Sequence, residues 1–146
     1  MSVSFRPAVQ ADVPGVVALL ADDDIGGARE TAPLADYKAA FARMDERCQL
    51  IVGEADGQLV ACYDLIILDG LNACGQRRAQ VEGVRVASHL RGHGLGRKLM
   101  EDAMDRARTV GAAFMEMMSN AARHDTHAFY ERLGFTRSHV GFKRKL

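Results

Sequence analysis

Three glycines at alternate positions, Gly92, Gly94 and Gly96, lie between an apolar run and a long amphipathic run. The preceding run, Ala79 to Val86, is rich in valine and has the character of a β-strand. The following run ends at Gly111 and carries apolar residues at helical spacing, at Leu95, Leu99, Ala103, Ala107 and Val110. Because glycine adopts backbone conformations that other residues avoid, the segment predicts a tight turn leading from a strand into a long helix.

The segment before this unit predicts a strand, two helices and a hairpin. Val3 to Ala8 has strand character, and the apolar spacing between residues 13 and 44 predicts two helices. Gln49 to Ala55 and Leu59 to Leu68 are β-rich runs separated by Asp56-Gly57, a dipeptide typical of a two-residue hairpin turn. We therefore expect these two strands to pair antiparallel.

The segment after the long helix predicts a strand, a short helix and a last strand. Ala112 to Met118 is a compact apolar strand, Asp125 to Leu133 a short helix, and Ser138 to Leu146 a final, partly polar strand. The predicted order is β-α-α-β-β-β-α-β-α-β. A strand–helix–strand unit beside hairpins indicates an α/β fold of the α+β kind, with a mixed sheet flanked by helices. We expect residues 1–146 to form a single domain.

Composition and charge narrow the class of protein. The 146 residues are 48% hydrophobic and 26% charged, which is typical of one soluble domain. Basic and acidic residues are balanced at 19 each, so no net field favours nucleic acid or an anionic membrane. Cys48, Cys62 and Cys74 lack the spacing of a disulfide framework or zinc site, and the N-terminus lacks a signal-peptide pattern. We expect a cytoplasmic protein with no nucleic-acid or membrane partner.

The glycine-rich turn has the features of an anion-binding site. The first N–H groups of a helix have no partner within the helix and lie at the positive end of its dipole. The spacing fits neither a Walker A loop, which needs Gly-Lys-Ser/Thr, nor the G-x-G-x-x-G dinucleotide fingerprint. On spacing alone, a pyrophosphate site and a turn without a ligand both remain open.

Two motifs give the chain a resemblance to a known family. Arg91-Gly92-His93-Gly94-Leu95-Gly96 agrees with the R/Q-x-x-G-x-G/A acyl-CoA motif of GNAT N-acetyltransferases at every specified position. Val84-Arg85-Val86 resembles the V-x-V strand end before that motif, and Phe129 to Phe135 resembles the FYE-x-x-GF segment. The resemblance is strongest from Val81 to Phe135. It implies a GNAT-like acyl-CoA N-acyltransferase fold with acetyl-CoA as donor.

The resemblance also implies a donor site made largely of backbone. The strand end Val84, Arg85 and Val86 would pair with the pantetheine arm of the donor. Amides of the turn would hold the pyrophosphate, and the residues concerned are Arg91, Gly92, His93, Gly94, Leu95, Gly96 and Arg97. Arg97 and Lys98 either add charge near the nucleotide or form a solvated first turn. Where the family often places a pantetheine-binding asparagine this chain has Arg123, and Asn120 is the other candidate.

Amine acylation requires a proton acceptor, because an alkyl ammonium has a pKa near 10.4. Glu82 resembles in position the glutamate that many GNAT enzymes use for this step, and the alternative is an exposed strand carboxylate. Tyr130 resembles the general acid that protonates the departing thiolate, and the alternative is a core tyrosine. His124 and His127 have i, i+3 spacing but no third ligand, so we predict no metal site.

The predicted activity is transfer of acetyl from acetyl-CoA to a primary amine within a ternary complex. The alternative is a non-catalytic acyl-CoA-binding or sensing module on the same fold. The acceptor partner is a small-molecule or peptide amine that the motifs do not identify. The acidic run Asp22 to Asp24 could attract that amine or could be a solvated helix end, and the resemblance is compatible with a homodimer.

Overall fold

The computed structural model describes all 146 residues and contains five strands and four α-helices. The strands are β1 (Ser4–Pro7), β2 (Cys48–Ala55), β3 (Gln58–Leu68), β4 (Arg78–Val86) and β5 (Phe114–Met117). The helices are α1 (Val13–Ala21), α2 (Leu34–Ala42), α3 (Leu95–Thr109) and α4 (His124–Arg132). The predicted mixed α/β fold and the predicted order are confirmed as far as α4.

One mixed sheet carries the five strands in chain order. β1 to β4 pair antiparallel, and β5 pairs parallel with β4. The β2–β3 hairpin turns at Asp56 and Gly57, whose φ angles of +50° and +76° are those that a two-residue turn of this type requires. The parallel pair needs a crossover connection, which α3 supplies.

The sheet is covered on both faces, because successive residues of a strand point to opposite sides. Ile51 and Tyr63 belong to the core beneath α3 and α4, whereas Val52 and Cys62 pack against α1. The buried stripe of α3 comprises Leu95, Leu99, Met100, Ala103 and Ala107. Val110, expected in this stripe, lies just beyond the end of the helix and is 41% exposed.

The strand predicted for Ser138 to Leu146 is wrong. Residues 136–146 form no regular secondary structure, and the large apolar side chains of Val140, Phe142 and Leu146 are all at least 80% exposed. The rest of this segment is mostly polar or basic, and β5 has only four residues against which it could pair. Pairing there would bury too little apolar surface to offset the entropy cost of ordering the segment.

Candidate active site

The parallel strands β4 and β5 separate before β4 ends. Their pairing stops at Val81 and Met117, whereas β4 continues to Val86. A register shift toward β3 and a φ of +58° at Gly83 mark a bulge in β4 at this point. The edge of β4 from Glu82 to Val86 therefore borders a cleft instead of a neighbouring strand.

The start of α3 lies beside this cleft and presents free backbone N–H groups. Gly94 is the N-cap, with a φ of +81° and no side-chain cap, and a Cβ added there would meet no atom within 4 Å. The first helical hydrogen bond runs from the Lys98 N–H to the Gly94 carbonyl at 3.2 Å. The amides between these two residues therefore have no partner in the helix, and the open backbone fits a pyrophosphate.

The turn before α3 is held by side chains that point back into the protein. Arg91 donates from Nε to the Val86 carbonyl at 3.0 Å and from Nη2 to the Asp22 carbonyl. Nδ1 of His93 lies 2.9 Å from the Arg91 carbonyl. The turn thus offers a ligand mainly its backbone, because the Arg91 guanidinium is already engaged.

The first residues of α3 have separate environments. The side chain of Leu95 is buried in the core, and Arg97 pairs on the surface with Glu101 at 3.0 Å. A Cβ at Gly96 would lie 3.4 Å from the Phe129 ring. Gly96 therefore permits close packing of α3 against α4.

An ion-pair network crosses the cleft. The Asp23 carboxylate, at 8% exposure, contacts Arg85 at 3.0 Å and binds Arg123 through both carboxylate oxygens. The hydrogen bond from Arg123 is the main reason that the pKa of Asp23 lies well below its usual range. This network joins the segment after α1 to β4 and to the start of α4.

The residues considered for the pantetheine contact are also engaged within the protein. Arg123 is bound to Asp23, and Oδ1 of Asn120 accepts from the Ala122 N–H at 2.9 Å. Two buried polar atoms have no hydrogen-bond partner, Nε of Arg85 and Oγ of Ser119. Buried polar atoms normally have a hydrogen-bond partner. A bound ligand could supply the missing partner for each of these two atoms.

Tyr130 lies on the α3 face of the sheet and is 8% exposed. Its ring packs edge-to-face on Phe129 and Phe135, at centroid distances of 5.1 and 5.9 Å. Burial raises the pKa of Tyr130 to about 12, opposed by the nearby positive charges of Arg85 and Arg123. The hydroxyl is therefore protonated at neutral pH and lies near two side chains of the cleft network.

Glu82 lies on the opposite face, next to a second carboxylate that the sequence analysis missed. Glu82 is exposed and accepts a hydrogen bond from Nε2 of Gln80 at 2.6 Å. Directly across from it on β3 is Asp64, and residues opposite each other in an antiparallel pair share a face. Burial raises the pKa of Asp64 to about 6, and the Glu82 charge adds to this effect.

Asp64 lines an apolar pocket between α1, α2 and the sheet. The pocket has a volume of about 130 Å³, and its walls include Val16, Leu20, Tyr37, Phe41 and Met44.

One signal for this site was present in the sequence, because Asp64 is the lone charge between Leu59 and Leu68, an otherwise apolar run. Asp23 was noticed only as part of an acidic run, and its pairing with two arginines had no local signal.

No group of three or more His, Cys, Asp or Glu side chains is placed to hold a metal ion. The rings of His124 and His127 lie 6.0 Å apart, edge to face. None of the helices is both long enough and apolar enough to cross a bilayer.

A parallel strand pair that separates beside a helix start with free amides can hold an extended ligand that ends in a pyrophosphate. The sequence profile described as the Acetyltransferase (GNAT) family matches residues 16–135. The chain therefore belongs to the GNAT acetyltransferase family, whose members use acetyl-CoA.

One curated protein and one solved structure are each about one-third identical to the chain. The aminoalkylphosphonate N-acetyltransferase of Salmonella typhimurium LT2 is 34% identical over 67 residues, 46% of this chain and 44% of that protein. The chain thus spans less than half the length of this curated relative. A Bacillus halodurans C-125 structure described as a transcriptional regulator is 33% identical, with a TM-score of 0.94 over 99% of this chain and 100% of that one.

A more distant structure shows the same fold. Glucosamine-6-phosphate N-acetyltransferase from Arabidopsis thaliana is 19% identical, with a TM-score of 0.82 over 99% of both chains. At this identity the likeness extends to the fold alone.

Proposed function

We propose that this chain transfers acetyl from acetyl-CoA to a primary amine by direct attack within one ternary complex. The observation that carries the proposal is the cleft where β4 leaves β5. It has free α3 amides at its end, the Glu82 carboxylate on one face of the sheet and Tyr130 on the other.

The donor is held mainly by backbone in this proposal. The edge of β4 from Val84 to Val86 pairs with the pantetheine arm, and the amides of Gly92 to Arg97 hold the pyrophosphate with help from the α3 dipole. Support comes from the absence of a β5 partner for this edge and from the open space around Gly92 and Gly94.

Glu82 takes a proton from the acceptor ammonium, directly or through water. The neutral nitrogen forms a bond to the acetyl carbon and loses its second proton to solvent, and the bond between that carbon and sulfur breaks. The departing thiolate receives the Tyr130 proton, and Tyr130 is then reprotonated from solvent. The reaction releases free CoA thiol, an acetylated amine and the proton that Glu82 accepted.

Direct transfer is favoured because the cysteine nearest the cleft is a poor nucleophile. Cys62 is 1% exposed, and burial raises the pKa of its thiol to about 12. Only the thiolate attacks efficiently.

Initial rates measured with both substrates varied should give intersecting double-reciprocal lines, and mass spectrometry should find no acetylated enzyme in the absence of amine. Parallel lines together with an acetylated cysteine would contradict direct transfer.

A thiol-release assay over a panel of amines, paired with calorimetry of acetyl-CoA binding, tests the proposal as a whole. We expect binding and amine-dependent thiol release. Binding without release for every amine would leave the non-catalytic acyl-CoA module as the function. Because the Salmonella relative is described as acetylating aminoalkylphosphonates, 2-aminoethylphosphonate belongs in the panel.

A further inference from the structure

The pocket beneath α1 and α2 has walls that are almost entirely apolar. Ten of its twelve lining residues are hydrophobic. The Tyr37 hydroxyl donates to Glu30 at 3.0 Å, so its polar end is already paired. The Cys62 thiol lies 3.7 Å from the Gly83 carbonyl and is neutral because burial raises its pKa. Asp64 is therefore the one charged group that lines the pocket.

The Asp64 carboxylate has no partner in the protein. The pKa of Asp64 is raised by burial and by the Glu82 charge, and no hydrogen bond or nearby cation lowers it. The nearest basic residue on β4, Arg85, is directed to Asp23. Two carboxylates thus lie on adjacent strands without a neutralising side chain, and an unpaired charge in an apolar site is costly. A ligand cation would relieve that cost.

The position of the pair connects the pocket with the cleft. Glu82 is the last residue before the Gly83 bulge, and Gly83 itself lines the pocket. A Cβ at Gly83 would lie 3.4 Å from Oδ2 of Asp64, so the carboxylate lies directly beside the bulge. A cation paired with Asp64 would therefore lie next to the edge of β4 that borders the cleft.

We propose that this pocket binds the acceptor and selects a primary amine with a compact hydrocarbon body and no anionic group. This inference rests on the proposed function. The hydrocarbon lies between α1 and α2, and its ammonium pairs with Asp64 before Glu82 takes the proton. An apolar cavity of roughly 150 Å³ holds one benzene ring, so a pocket of about 130 Å³ suits one small ring or a short alkyl chain.

The pocket lining contains no basic side chain, so an anionic group on the acceptor would find no partner there. A phosphonate or carboxylate on the acceptor would enter an apolar space next to two carboxylates and would be repelled. The acceptor therefore differs in class from the aminoalkylphosphonates for which the Salmonella relative is described.

The test compares benzylamine with 4-(aminomethyl)benzoate and 2-aminoethylphosphonate as acceptors. We expect kcat/KM for benzylamine to exceed the other two by at least about tenfold, because each anionic group loses its solvation without gaining a partner. In Asp64→Asn, KM for benzylamine should rise by about 10- to 100-fold, as expected for loss of a charged hydrogen bond. KM for acetyl-CoA should not change.

Two further variants separate recognition from general damage. Asp105→Asn changes an aspartate that is 77% exposed on α3 and should leave all parameters unchanged. Ala40→Leu narrows the pocket and should raise KM for benzylamine more than KM for ethylamine. An anionic acceptor that is preferred, or an unchanged KM for benzylamine in Asp64→Asn, would overturn the pocket assignment while the proposed function stands.

Failure of the proposed function gives a different result. In that case no amine releases thiol, and calorimetry with benzylamine alone decides the pocket assignment. Binding to wild type that is lost in Asp64→Asn supports the assignment. Binding that is absent, or equal in both proteins, overturns it.

Discussion

Replacing Asp64 by asparagine should stabilise the folded protein at neutral pH even though it weakens acceptor binding. The pKa of this carboxyl is raised from 3.8 to about 6, first by burial and then by the Glu82 charge. A pKa change of one corresponds to 1.36 kcal/mol, so holding Asp64 ionised above pH 6 costs the folded state about 3 kcal/mol. The other titratable neighbours, Cys48 and Cys62, are neutral thiols whose pKa values are also raised by burial.

The neutral amide of asparagine removes this cost but leaves polar atoms short of partners, which costs about 1 kcal/mol. We expect a net gain of about 2 kcal/mol at pH 8, which corresponds to a rise in Tm of about 4–8 °C. A raised carboxyl pKa means that the wild-type protein loses stability as pH rises from about 4 to 6. The advantage of Asp64→Asn should therefore largely disappear at pH 4, because the folded-state carboxyl is protonated there and the pH is close to the unfolded-state pKa of 3.8.

Urea unfolding of both proteins at pH 4, 5, 6 and 8 measures this difference. Glu82→Gln is the matched comparison, because it removes the Glu82 charge and leaves the burial of Asp64 in place, so it should give a smaller gain. A destabilisation by Asp64→Asn that is the same at every pH would refute the reasoning, since it would mean that the ionised carboxylate is not under strain in the folded state.

Three other substitutions test the donor site and the proton transfers. Gly94→Glu should abolish acetyl-CoA binding measured by calorimetry, because a side chain at a φ of +81° is strained and its charge repels the pyrophosphate; wild-type affinity in the folded variant would exclude this turn as the donor site. Glu82→Gln should lower kcat at neutral pH and recover part of it at high pH, where free amine is abundant, and an unchanged pH–rate profile would return Glu82 to a surface role. Tyr130→Phe should lower kcat by about 10- to 100-fold with little change in KM for acetyl-CoA, and an unchanged kcat with chemistry rate-limiting would leave Tyr130 as a packing residue.

Several features of the fold could be predicted because they depend on neighbours in the chain. The Asp56-Gly57 hairpin needs two residues with positive φ, and both adopt it. The stripe of α3 follows from helical spacing, and Gly111 follows its end with a φ of +80°. The glycine turn was recognisable for the same reason, because the strand, the turn and the helix start are consecutive in the chain. The first N–H groups of any helix have no partner within the helix.

The last, partly polar strand was a prediction that tertiary packing did not support. Ser138 to Leu146 contains enough apolar residues to resemble a strand, but a strand forms only where a neighbour offers backbone partners and a face to bury. The four residues of β5 and the exposed side chains beside them offer little of either.

The chemistry around the cleft depends on residues that are distant in the chain. Asp23 meets Arg85 and Arg123 across 62 and 100 positions, and no local pattern encodes such a meeting. Asp64 and Glu82 share a face only because β3 and β4 pair in one register. Motifs were sufficient to predict a glycine turn with free amides before α3, because the first N–H groups of any helix lack partners within it. The raised pKa of Asp64, and with it the proposed acceptor preference, exists only after folding has partly buried this side chain beside the apolar pocket and left Glu82 exposed.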